Sequence, residues 1–260
     1  MSLDFHQIDA FTQRPFAGNP AIVYRLDAWL DEARMQAIAA EHNLAETAFV
    51  VKEGAVWHIR WFTPACEVPL CGHATLASAF ALFELHGETA PQLDFICQSG
   101  ALSVSREGQR LVLDFPSLPG QRIEASAAIK AAVNGPVVEV HDTGKELLVV
   151  LENEQQVREC QPDLGAVATL PWLGMIVTAP GEQHDFVSRY FAPAIGIDED
   201  PVTGSIHCSL IPYWAARLQK TQLNAFQCSA RGGEWFCRLD GDRVKIAGNA
   251  VLVASGRLYL

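Results

Sequence analysis

The sequence predicts an α+β protein built from two similar halves, and three observations predict it. Short segments with strand character recur along the whole chain, while helical patterns are few. Most neighbouring segments are a short turn apart, which leaves no room for the crossovers of a doubly wound parallel sheet. An ordered set of landmarks also occurs twice.

The strand-like segments are 3–10, 20–25, 47–52, 56–63, 93–97, 101–105, 110–115, 137–141, 146–151, 173–178, 185–191, 223–228, 234–239 and 243–260. A helix follows the second, capped by Asp27 or Asp31 and running to about Glu41. Leu30, Met35 and Ile38 fall at helical spacing, and Asn43 is a suitable terminator. The helix opening at Gly72, GHATLASAFALFELHG, is of another kind. It carries apolar residues on every face, so it must be buried on every face, and Gly87 is placed to stop it. In a strand-rich chain, the simplest arrangement curls a sheet around it.

The landmarks repeat in order. RWFTP at 60–64 returns as RYFAP at 189–193. Cys71-Gly72-His73 is matched by Thr203-Gly204-Ser205, each opening an apolar helical stretch. Ser99-Gly100 is then matched by Ser229 with Gly232-Gly233, and Arg110-Leu111-Val112 by Arg243-Val244-Lys245. Shared strand–turn–helix grammar could supply one match; the ordered series favours an internal repeat. The boundary falls near Pro116–Pro119. Pro212 should kink the second helix or end its first segment.

Composition narrows the function. At 260 residues and 28.4 kDa the chain is one large or two small domains, taking roughly 100–200 residues for each. Hydrophobic residues make up 49% and charged ones 19%, enough for a sizeable core and unlike a disordered chain. The net charge of −11 disfavours nucleic acid and anionic membrane as partners. No apolar run reaches the ~18 residues of a membrane helix. The opening MSLDFHQID does not read as a signal peptide. Seven cysteines with no CxxC pair suit free thiols in a reducing compartment, so a cytoplasmic location is expected.

Two buried helices starting at equivalent points suggest a shared cleft. A helix N-terminus offers unpaired N–H groups and about half a positive charge, a seat for a carboxylate. Gly72 and Gly204 would let a ligand approach the backbone, or would only ease tight strand-to-helix turns. The residues alone leave both readings open.

The stretches IDAFTQRPFAGNPAIV (8–23), NLAETAFV (43–50), IRWFTPACEVPLCGHATLASA (59–79) and DFVSRYFAPAIGIDEDPVTGSIHCSLIPYW (185–214) resemble the PhzF-like, phenazine-biosynthesis isomerase-like family of the diaminopimelate epimerase superfamily. The resemblance spans nearly the whole chain. It implies two pseudo-symmetric domains, each a curled mixed sheet around a central helix, with a ligand cleft between them. These would be residues 1–118 and 119–252, the first completed by a returning strand 253–260. It also implies a homodimer and an isomerase without metal or organic cofactor, acting on a small carboxylate-bearing substrate by one-base acid/base catalysis.

Residue by residue, Glu46 of NLAETAFV matches the family's acid/base. His73, Asp200 and Ser205 match polar groups lining the cleft, and Asn19 of GNP matches a further pocket residue. Gly72 and Gly204 match the backbone sites that receive the substrate carboxylate. Each has an ordinary alternative. Glu46 taken alone reads as an exposed edge residue, although burial in a cleft would raise its pKa and suit it to proton transfer. His73 reads as a satisfied core histidine, or as a donor whose pKa the helix end lowers. Asp200 before Pro201 reads as a turn former, and Ser205 as a helix cap. Convergence on two repeat-related places favours the functional reading.

Related epimerases use two opposed cysteines. Cys71 sits at a helix start that would make it a thiolate, but its counterpart is Thr203, so the two-thiol pattern is broken. A racemase using Cys71 with another partner, and a non-catalytic carboxylate-binding or scaffold protein, are the competing readings. Cys66, Cys71 and His73 lack the spacing and fourth ligand of a zinc site. No dinucleotide or P-loop motif occurs. Gly232-Gly233 reads as a hairpin turn, and Trp57, Trp61, Tyr190, Tyr213 and Trp214 as core and interface.

Overall fold

The computed structural model describes residues 2–260. The chain divides into two compact units, one of residues up to Asp114 together with Ala247–Leu260, the other Phe115–Ile246.

The first unit contains β1 (Ser2–Ala10), β2 (Asn19–Leu26), α1 (Glu32–His42), β3 (Glu46–Glu53), β4 (Val56–Phe62), β5 (Glu67–Val68), α2 (Gly72–Phe80), β6 (Gln92–Cys97), β7 (Gly100–Glu107) and β8 (Arg110–Pro116). Its pairings run β1–β2 antiparallel, β2–β3 parallel, β3–β4 antiparallel, β4–β6 parallel and β6–β7 antiparallel, with β5 antiparallel on β4. The C-terminal strand Ala250–Tyr259 pairs antiparallel with β1 along its whole length, Ser2 facing Tyr259 and Ala10 facing Ala250. Helix α2 packs against β1, β2, β3, β7 and the C-terminal strand, so the sheet curls around it. His73 to Ala79 are all buried. Helix α1 lies outside, where Met35, Ile38 and Ala39 meet Ile22, Tyr24, Phe49 and Phe62. Each large apolar side chain buried this way stabilises by roughly 1.5–3 kcal/mol. As expected, Asp31 caps α1, accepting from the Arg34 N–H, and Asn43 ends it at φ 49°.

Past Phe80, α2 widens into a π-turn over Ala81–Leu85, closed by His86 N–H to Ala81 O at 3.0 Å. The stop at Gly87 (φ 73°) follows. Between β1 and β2, the Phe11 and Thr12 N–H groups both donate to Asn249 O. Gly18 (φ 66°) must be glycine, because a Cβ there would lie 2.1 Å from Ala10 O. That turn delivers Asn19 to the head of β2.

The second unit contains β9 (Gln121–Ile123), α3 (Ala127–Val133), β10 (Glu139–Asp142), β11 (Glu146–Val150), α4 (Glu154–Glu159), α5 (Leu164–Ala168), β12 (Gly174–Pro180), β13 (Phe186–Ala192) and β14 (Ile197–Asp200). It continues with α6 (His207–Leu218), β15 (Gln222–Gln227), β16 (Gly233–Asp240) and β17 (Arg243–Gly248), which makes the C-terminal strand β18. Pairings run β10–β11 antiparallel, β11–β12 parallel, β12–β13 antiparallel, β13–β15 parallel and β15–β16 antiparallel, with β14 antiparallel on β13. Order and sense repeat those of the first unit, strand for strand. The internal repeat is real.

Differences from expectation have local causes. The stretch 243–260 is two strands, because Asn249 turns its carbonyl to Phe11 and Thr12. Helix α6 begins at His207, not at Gly204. Residues 203–206 form tight turns, with His207 N–H on Gly204 O and Cys208 N–H on Ser205 O. Pro212 does not end α6. The carbonyl it frees, Cys208 O, accepts instead from Leu118 N–H at 2.8 Å.

Candidate active site

In the first unit, three element ends meet. Parallel pairing of β2 with β3 places Ala21 beside Glu46, so the heads of both strands reach the same end of the sheet. Helix α2 starts there too, with Cys71 as its N-cap residue in extended conformation (φ −145°, ψ 111°). The result is a cluster around one imidazole. His73 Nδ1 lies 3.2 Å from Asn19 Nδ2 and 3.5 Å from Cys71 Sγ, and Nε2 lies 3.0 Å from Glu46 Oε2. Side chains of His73 and Glu46 are 7% and 15% exposed, so Glu46 is not the exposed edge residue its local sequence suggests.

Burial disfavours the imidazolium, but the neighbouring Cys71 sulfur and Glu46 carboxylate outweigh it, and the His73 pKa is raised well above the ordinary value. The helix end does not lower it, contrary to expectation. With Nδ1 accepting from the Asn19 amide, a neutral ring carries its proton on Nε2, facing Glu46. Turning the amide over would give the imidazolium an acceptor at Nδ1, so Asn19 can serve both protonation states.

Burial pushes the Cys71 thiol up, and the Glu46 carboxylate adds to it, both outweighing His73. The thiolate expected at a helix start is not favoured. Glu46, Cys71 and His73 each bring a metal-ligating atom within 4.8 Å of the others. They do not fit one metal, because Cys71 faces Nδ1 and Glu46 faces Nε2 of the same ring. Cys66 takes no part; it is exposed, in a turn with Thr63.

Two further features mark this cluster. Glu46 Oε2 and His73 Nε2 are buried and have no hydrogen-bond partner beyond their mutual ion-pair contact. The Cys71 side chain makes no capping hydrogen bond to α2, so the first N–H groups from Gly72 onward keep their partial positive charge uncapped.

In the second unit, Asp200 ends β14, followed by Thr203, buried Gly204 and exposed Ser205. The Thr203 hydroxyl donates to Asp200 Oδ2 (2.7 Å), which makes Asp200 a turn former as its position suggests. Ser205 is not a helix cap; Ile206 occupies that position and no side chain caps α6. His207 donates from Nδ1 to Thr203 O at 2.9 Å, and burial lowers its pKa to about 4. The predicted site residues thus form two groups: Asn19, Glu46, Gly72 and His73 in the first unit, and Asp200, Gly204 and Ser205 in the second.

Sequence reasoning missed three residues. Gln227, fully buried at the end of β15, accepts from Thr203 N–H (2.8 Å) and donates to Asp200 O (2.8 Å) and Thr203 Oγ1 (3.1 Å). Tyr190 donates its hydroxyl to Glu146 at 2.8 Å, and burial raises the carboxyl's pKa. Nothing in local sequence marks them. The repeat does mark the last pair's place: Ala48 faces Trp61 as Ile176 faces Tyr190, which makes Gly174 the counterpart of Glu46. A Cβ at Gly174 would lie 2.6 Å from the Tyr190 hydroxyl oxygen.

The family model for phenazine biosynthesis-like proteins matches residues 8–256. An uncharacterized isomerase of Pseudomonas aeruginosa is 63% identical, with all of both chains covered. Phenazine biosynthesis-like domain-containing protein 2 of Mus musculus is 43% identical over 99% of each. The crystal structure of a PhzF family phenazine biosynthesis protein from Enterococcus faecalis superposes with a TM-score of 0.98 at 47% identity, covering both chains completely. By its strand order, its repeated half and this match, the chain belongs to the phenazine biosynthesis-like protein family.

Proposed function

We propose that the protein is an isomerase that moves a proton on a small carboxylate-bearing substrate, with Glu46 as the base and no cofactor. The observation that carries this reading is the Glu46–His73 ion pair, largely shielded from water beside a helix N-terminus that no side chain caps. The α2 N–H groups around Gly72 would take the substrate carboxylate, leaving Glu46 to remove a proton from carbon and return one to another position. His73 holds Glu46 in place through their 3.0 Å contact and passes or withholds its own proton as the substrate charge changes. Asp200, Gly204 and Ser205 of the second unit keep the substrate-facing roles that the family's motif gives them. In the repeat, the place of Glu46 is taken by Gly174, and the place of Cys71 by Thr203. A single carboxylate base therefore suits the chain better than two opposed thiols. The names of the Pseudomonas aeruginosa relatives, both isomerases, support the reaction class.

The experiment is solvent-deuterium incorporation into a panel of small unsaturated and amino-substituted carboxylates. Wild-type protein is expected to label at least one, and Glu46→Gln to lose the labelling by at least a hundredfold, the usual weight of general acid–base catalysis. Full labelling by a folded Glu46→Gln variant would overturn the assignment. Tight binding without exchange would make the chain a binding module instead.

A further inference from the structure

We propose that Thr203 and Gln227 are positioning residues that keep Asp200 ionised and fixed in place, through a directional chain of donors ending on its carboxylate. The inference rests on the role given to Asp200 above, and deepens it. The direction of each hydrogen bond is set by chemistry. Gln227 Oε1 accepts the Thr203 N–H, which assigns the amide and leaves Nε2 as the donating end. That end faces Asp200 O and Thr203 Oγ1. A hydroxyl that accepts from the amide has its own proton free to give, and Asp200 Oδ2 lies 2.7 Å away. The chain therefore runs from Gln227 through Thr203 to Asp200, and cannot reverse, because the amide nitrogen only donates.

The surroundings are consistent with this chain. Across β13, Tyr190 is the residue paired with Asp200, but its hydroxyl is given to Glu146 of β11. Of the neighbouring acids on β14, Glu199 is held by Arg189, and Asp198 adds a second exposed negative charge close by. A hydroxyl donor on a carboxylate makes a charge-assisted hydrogen bond, the stronger kind. The loop is held from behind as well. Ser229 Oγ donates to Pro201 O (2.6 Å), and Val202 packs so tightly on Gly233 that a Cβ there would lie 2.5 Å away. Gln227 is buried completely, and its side-chain amide bonds to Asp200 and Thr203.

The test reads Asp200 directly, by titrating its carboxyl carbon resonance in selectively labelled protein. Thr203→Val keeps the side-chain shape and deletes the donor; it is expected to move the titration midpoint up by about one unit, the weight of one charge-assisted hydrogen bond. Thr203→Ser restores the donor and is expected to restore the midpoint. Gln227→Met, which fills the same space without an amide, is expected to move it the same way by a smaller amount. A merely structural role would lower thermal stability in these variants and leave the midpoint alone. An unchanged midpoint in folded Thr203→Val overturns the proposal, and that variant decides the matter if Gln227→Met does not fold. The measurement needs no substrate. If wild-type protein labels no carboxylate while the midpoints move as expected, the isomerase reading fails and the donor chain stands. If labelling depends on Glu46 and the midpoints do not move, the reverse holds.

Discussion

At the scale of single residues, the site depends on which groups hold protons. The His73 pKa is raised because the neighbouring Cys71 sulfur and Glu46 carboxylate outweigh its burial, so Glu46→Gln should lower its titration midpoint, seen in the ring proton resonances. The sign for stability follows. A folded pKa above the unfolded one gives stabilisation that is complete below the unfolded value, about 6.5, and is lost as pH rises through the folded one. Wild-type protein should therefore lose stability on the alkaline side more than Glu46→Gln does, in urea unfolding followed across pH. Cys71 is the opposite case. Its thiol is buried and its pKa raised, so it should alkylate slowly at neutral pH while exposed Cys66 reacts quickly. Peptide mapping after brief iodoacetamide treatment checks the order. Cys71→Ala should keep most Glu46-dependent exchange; its loss would favour the racemase reading.

At the scale of elements, His207 at the start of α6 carries a pH limit of its own. It is buried neutral with its pKa lowered to about 4, and Nε2 has no hydrogen-bond partner. The unfolded chain takes up this proton near pH 6.5 and the folded one only near 4, so stability falls as pH drops through that window, by about 3 kcal/mol in all. His207→Asn keeps a donor for Thr203 O and removes the titration, so its unfolding free energy should fall less steeply between pH 6.5 and 4. Equal slopes would show that another group is responsible. Most elements were legible from sequence because alternation, caps and apolar runs are local signals: Asp31, Asn43 and Gly87 stand where expected. Helices α3, α4 and α5 were not. Each has five to seven residues, too few for a period to show, though Ser126, Asn153 and Asp163 cap them. The start of α6 differs from the sequence reading because Gly204 and Ser205 are good helix-start residues, yet 204–206 close local three-residue turns and Thr203 is held by Gln227. Glu46 and His73 were legible through the family's motifs. Their contact was not, since it arises from α2 starting at the end of the sheet where β3 begins.

At the scale of the whole molecule, the two units share one plan and differ where chemistry is expected. The counterpart of Glu46 is a glycine, and the carboxylate nearby, Glu146, is occupied with Tyr190. One consequence of chain order is separately testable. The first unit is not complete until the last residues are made, because β18 is the partner of β1 throughout and brings Leu258 to the apolar cluster under α1. The second unit is formed from one continuous stretch, with its own core of Leu147, Val149, Met175, Val177, Val187 and Phe191. A chain ending after Asn249 keeps the whole of that stretch and the carbonyl that accepts from Phe11 and Thr12, but removes β18. Strand β1 would then expose an unpaired edge, with its backbone N–H and C=O groups facing water and α2 uncovered on one side. Amide exchange should show the effect unevenly. Protection is expected to vanish from β1 and fall across β2, β3 and α2, while β11, β12 and β13 keep theirs. Aggregation through the open edge is also expected, and dilute protein at low temperature separates it from unfolding. Uniform loss of protection across both units would mean that their folding is a single cooperative event. Unchanged protection in β1 would mean that β2 alone suffices to hold it.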